Sequence, residues 1–74
     1  MEEWTTVARF MLAYQADLAK GRLETEGIPV RILNEATLTL NPLLGPALGG
    51  FEIQVPTLQE AKAKQILENI TPVD

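Results

Sequence analysis

The chain contains no cysteine and no histidine. The first absence excludes disulfides and thiol chemistry, and the two together remove the commonest zinc ligands. Without histidine, the side chain most often used to move protons near neutral pH is missing as well. Aromatic residues make up only 5% of the 74 positions and are scattered as Trp4, Phe10, Tyr14 and Phe51. Positive charge is also short, with 6 Lys and Arg against 10 Asp and Glu and a net charge of −4. Nucleic acids are held by clustered basic residues and stacked on aromatic platforms, so no nucleic-acid partner is expected. No apolar run approaches the roughly 18 residues needed to span a bilayer, and no membrane partner is expected either. The start, Met1-Glu2-Glu3-Trp4, is acidic where a secretory signal is positive. With the absence of cysteine, that points to a cytoplasmic location.

Apolar residues, at 46%, and charged residues, at 22%, are close to globular averages. A disordered chain would carry less apolar material and more net charge. Residues 1–74 are read as a single domain, small enough that self-association is a common aid to stability.

Residues 3–10 are rich in β-branched and aromatic types and predict a first strand. Residues 11–26 predict a helix, with Leu12, Ala16, Ala19 and Leu23 on one apolar stripe. Gly21 costs that helix about 1 kcal/mol relative to alanine. Gly27 suits the left-handed position after the last turn, and Pro29 follows. Residues 28–34 predict a second strand with Ile28, Val30 and Ile32 on one face. From Ala36 through Phe51 there is no charged residue. Prolines and glycines there exclude a long regular helix, Asn41-Pro42 marks a turn, and Thr37–Leu40 suits a short strand extension. Phe51, Ile53 and Val55 alternate with Glu52 and Gln54 in the clearest strand, which Pro56 ends. Residues 57–70 predict a second helix, with Thr57 and Glu60 as a capping box, Ala63, Ile66, Leu67 and Ile70 as its core stripe, and Pro72 blocking its continuation. The order β-α-β-β-α predicts an α+β sandwich. In it, a three-stranded antiparallel sheet carries two helices on one face, in a ferredoxin-like arrangement that lacks its last strand because Thr71–Asp74 is too short to form it.

Three stretches also carry a family likeness. Leu18 through Pro29 contains the run Leu23-Glu24-Thr25-Glu26-Gly27-Ile28-Pro29, Leu48 through Pro56 contains a Gly-Gly step and a strand ending in Val-Pro, and Ala61 through Leu67 forms an alanine-containing helix. In order and spacing they resemble the small bacterial domains known as the putative prokaryotic signal-transducing protein family. The resemblance covers nearly the whole chain and implies a PII-like branch of the ferredoxin-like folds. It implies no catalytic residues. Many relatives have Asp or Asn with Pro and then an acidic residue where this chain has Met11-Leu12-Ala13-Tyr14. The long loop and basic residues that hold ATP in PII proteins have no counterpart here, so nucleotide binding is not carried over.

No catalytic, metal-binding or cofactor-binding residue is assigned. Gly49-Gly50 leads into a strand without the lysine of a phosphate loop and reads as a tight turn needing positive φ. Glu24 and Glu26 point apart on a helix, and Glu52 sits on the polar face of a strand. Arg9 and Arg31 lie on strands separated by a third, which argues against a shared anion site. Leu38, Leu40, Leu43, Leu44 and Leu48 exceed what a surface loop carries. They form a lid on the core, an exposed interaction patch, or some of each. Thr5 and Val7 lie on a first strand whose outer edge can recruit another strand. The expectation is a non-enzymatic protein-interaction or regulatory module whose partner is a second copy, as a homodimer, or another protein. The alternative is a small-ligand sensor that takes an apolar or anionic metabolite between the leucine-rich connection and the sheet.

Overall fold

The computed structural model describes residues 3–68. Strand β1 (Trp4–Phe10) leads into helix α1 (Ala13–Thr25), and strand β2 (Arg31–Leu33) follows. The connection then forms helix α2 (Glu35–Leu40), a 3-10 turn (Pro42–Leu44) and the single-turn helix α3 (Gly45–Leu48). Strand β3 (Phe51–Pro56), a second 3-10 turn (Thr57–Gln59) and helix α4 (Glu60–Glu68) complete the order. The class is α+β, as the sequence predicts. The sheet is open and antiparallel in the order β1-β3-β2, so β1 and β2 are its edges and run parallel to each other. This is compatible with a ferredoxin-like fold, with two more short helices than the sequence suggests.

Strict alternation on β3 sets the two faces. Phe51, Ile53 and Val55 are buried, and Ala16, Ala19 and Leu23 of α1 and Ala63 of α4 close over them. Cross-strand partners share a face, so Thr5, Ala8 and Phe10 face the helices, opposite Val55, Ile53 and Phe51. The register slips between Thr6 and Ala8. Val7 is the extra residue of this bulge, and it packs against the core. Trp4, Thr6 and Arg9 fall on the outer face.

Helix α1 ends as Gly27 predicts. Gly27 takes φ +84° and its N–H donates to Glu24 O, while Ile28 N–H donates back to Leu23 O at 3.0 Å. This is a Schellman closure, sealed by contact between the buried Leu23 and Ile28.

Four expectations are corrected. The second strand is three residues long, not 28–34, because Ile28 is used in the helix closure, Pro29 has no N–H to donate, and Asn34 turns left-handed at φ 71°. Thr37–Leu40 is helical: the backbone satisfies itself locally, Leu38 N–H on Asn34 O and Asn41 N–H on Thr37 O, and Leu38 turns inward. Leu12 stands at the cap position of α1 and is exposed, leaving Ala16, Ala19 and Leu23 as the buried stripe. The capping box does not form. Thr57 instead starts a 3-10 turn, with its Oγ1 at 2.6 Å from Thr5 Oγ1 and its N–H donating to Glu3 O. Met1, Glu2, Ile70, Pro72 and Thr71–Asp74, also used in the sequence reading, lie outside the described residues.

Candidate functional site

The outer face of the sheet is polar and internally bonded. Arg31 Nε donates to Gln54 Oε1 at 2.9 Å, and Gln54 Nε2 donates to Thr6 Oγ1 at 3.0 Å. Thr6 Oγ1 donates to Glu52 Oε1 at 3.0 Å, and Arg9 Nη2 reaches the same oxygen at 3.4 Å. The Arg31 guanidinium also lies 4.8 Å from the centroid of the Trp4 ring, a cation–π stack. The chain of bonds crosses all three strands. It commits each arginine to a neighbour on β3, and it brings no two cations together on one anion.

The other unusual surface gathers at one corner. The sequence has an uncharged window at 53–59, within β3 and the turn after it, and two others, residues 10–16 and 36–51. The latter two are far apart along the chain but meet in space. Met11 and Leu12, at the turn between β1 and α1, come together with Leu38 and Thr39 of α2, Pro42 of the 3-10 turn and Phe51. Together they line an open groove of about 300 Å³. Its lining residues include no charged side chain. Nine large apolar side chains are exposed among the described residues, and all but Leu18 and Leu58 come from these two windows. Leu40 and Leu43 are 87% and 88% exposed, next in sequence to the groove residues Thr39 and Pro42.

The corner is built by a few backbone devices. Asn34, in its left-handed conformation, donates through Nδ2 to Gly50 O at 3.1 Å and to Leu48 O at 3.4 Å. Gly49 and Gly50 take φ +78° and +81°, and Gly50 N–H donates to Gly45 O. Asn41 Oδ1 accepts from Leu43 N–H and opens the 3-10 turn. These bonds fasten the connection at both ends, so its leucines are held in place without a sheet partner.

The predicted interaction residues therefore separate. Leu38 is 2% exposed and is the lid. Leu40 and Leu43 project outward, and Leu44 and Leu48 are exposed at 39% and 37%. Thr5 is held by Thr57 on the helix side, and Val7 sits in the bulge against the core, so neither belongs to the corner surface. The sequence reading missed Met11, Leu12 and Tyr14 as members of this surface. Their signal was present in the uncharged window around the first helix start. It also missed Asn34, although asparagine is among the non-glycine residues that most readily turn left-handed.

A family model described as "putative prokaryotic signal transducing protein" matches residues 4–71. No curated protein and no solved structure matches the chain.

Proposed function

The chain belongs to the family described as "putative prokaryotic signal transducing protein", and from that premise we propose that it is a non-enzymatic regulatory module that works by docking a protein at the corner where the two uncharged windows meet. The observation that carries this reading is the meeting of the two uncharged windows at an apolar groove, since the same windows supply seven of the nine large apolar side chains exposed among the described residues. Solvent-exposed leucines scattered singly need no explanation, but a contiguous apolar patch marks an interaction surface. The non-enzymatic half is supported by the lack of histidine and cysteine. In addition, no charged or polar side chain is buried among the described residues, where catalytic acids and bases acquire their altered acidity. A cytoplasmic setting fits a cysteine-free chain. Among the described residues no helix is long and apolar enough to cross a membrane.

Site-specific photocrosslinking in cells tests the docking role. A probe at position 43 is expected to trap a discrete protein adduct. A probe at position 58, whose leucine is 95% exposed in the separate uncharged window 53–59, is the control. Equal adduct patterns from the two positions refute the reading.

The groove itself favours the second reading, a small-ligand sensor. Its volume is at the lower end for ligand pockets, and its uncharged lining suits an apolar rather than an anionic molecule. Thermal stabilisation by a short fatty acid, lost on Thr39→Trp, is the result expected of a sensor.

A further inference from the structure

We propose that the partner at this corner is a second copy of this chain, joined about a twofold axis with Leu43 of each protomer seated in the groove of the other. The proposal rests on the docking reading above and adds the identity of the partner.

Charge points to a second copy. Each copy carries −4, and two like-charged bodies approach best through a surface that bears no charge. The groove and the two windows that line it supply that surface, with the Arg9 side chain at its margin beside Gly49. A basic or acidic protein, or an anionic lipid surface, would be selected by complementary charge, which the corner does not offer.

Shape points the same way. In a twofold interface the same patch meets itself, so every protrusion must find its recess within that patch. Leu43 is 88% exposed and follows Pro42, which lines the groove. The recess of about 300 Å³ is uncharged and lined by Phe51 among others, so a knob and a hole that suit each other adjoin in sequence.

Size is consistent as well. A standard interface hides about 800 Å² on each partner, roughly a sixth of the 5109 Å² accessible surface of this chain. The two windows that meet at the groove expose seven large apolar side chains. One consequence links the two functional readings: a small apolar ligand and the leucine of the mate compete for the same recess, so ligand binding would separate the dimer.

Sedimentation equilibrium of the purified chain tests the proposal. The wild type is expected at twice the 8.1 kDa monomer mass. Leu43→Asp removes the knob and Thr39→Trp fills the hole, both at exposed positions that leave the circular dichroism spectrum unchanged. Each raises the dimer dissociation constant at least about a hundredfold, because two leucine insertions are lost together. An equal mixture of the two variants recovers part of the association. The Thr39→Trp chain still offers its Leu43, and the Leu43→Asp chain still offers an open groove. Leu58→Asp stays dimeric. A wild type that remains monomeric at millimolar concentration overturns the proposal, as does a mixture no more associated than its components. If that monomer still gives a foreign adduct from position 43, only the second-copy assignment falls and the docking reading stands. If decanoate stabilises the monomer instead, the groove belongs to a ligand and the proposal is likewise overturned.

Discussion

Replacing Gly50 with alanine is expected to cost far more than the same change one residue earlier, and the reason is local. Both glycines have positive φ, +78° at Gly49 and +81° at Gly50, where an L side chain costs about 1–2 kcal/mol. The surroundings differ. A Cβ at Gly49 would meet the Arg9 side chain at 3.6 Å, an ordinary contact with a group that can move. A Cβ at Gly50 would lie 2.5 Å from Phe10 O and 3.1 Å from Phe10 C, which are backbone atoms of the last residue of β1. That carbonyl cannot retreat without disturbing the Phe10–Phe51 pairing, while Asn34 holds Gly50 from the other side. Overpacking of this kind adds about 1–3 kcal/mol, for a total of roughly 2–5 kcal/mol. A domain of this length is stable by about 4–11 kcal/mol, so Gly50→Ala removes a large part of it. Gly21→Ala has the opposite sign. It lies inside α1 with nothing within 4 Å of the added carbon, so it stabilises by about 0.5–1 kcal/mol. Urea unfolding followed by circular dichroism reads all three as shifts of midpoint at constant slope. A Gly50→Ala variant within about 1 kcal/mol of Gly49→Ala would refute the close-approach argument.

The connection and the turn after β3 offer three further comparisons. In chain dilute enough to be monomeric, Leu38→Ala, at a site 2% exposed, is expected to lose about 2–5 kcal/mol, whereas Leu40→Lys, at 87% exposure, stays within about 0.5 kcal/mol of wild type; equal losses in thermal melts would show that the lid and the patch are not separated as described. Asn34→Gly keeps the left-handed backbone but removes both side-chain bonds, and Asn34→Ala loses the backbone preference as well, so the alanine variant is expected to be less stable by about 1 kcal/mol. Denaturant midpoints in the reverse order would refute the assignment. Thr57→Ala removes an exposed hydroxyl pair rather than a helix cap, and its cost is expected near 0.5 kcal/mol, below the roughly 1 kcal/mol typical of a lost cap.

Those comparisons follow the division between what the sequence made legible and what it hid. β3 was legible because one face is buried and one polar, which writes the fold into a period of two. The end of α1 was legible because Gly27 and Ile28 belong to a local motif with its own residue signature. The connection was not. Leu38 and Leu40 are two apart, the spacing of a strand face, yet in a one-and-a-half-turn helix they point apart, one into the core and one into solvent. A segment of six residues is too short for periodicity to choose between those conformations. Thr57 and Glu60 misled for a similar reason: the spacing of a capping box says nothing about a second threonine, Thr5, arriving on the neighbouring strand to take the hydroxyl.

The candidate site lay between these extremes. The long uncharged window at 36–51 can be seen in the sequence, and so can the shorter one at 10–16, but nothing in either says that they meet. Their meeting follows from topology. Phe10 and Phe51 are register partners, so the end of β1 and the start of β3 lie at the same end of the sheet, and the residues just outside each strand are brought together. Met11 and Leu12 leave β1 there, and the connection enters β3 there through Gly49 and Gly50. An antiparallel pair places the flanks of its strands together wherever the register ends, whether or not those flanks belong in a core. Here one residue of the connection, Leu38, is drawn inward and closes the small core, and the rest have no further interior to enter. The same geometry that completes the fold therefore leaves a greasy rim around a recess. A −4 chain that kept such a rim free of charge on both contributing segments has removed the means by which most partners are told apart, leaving shape as the basis of recognition.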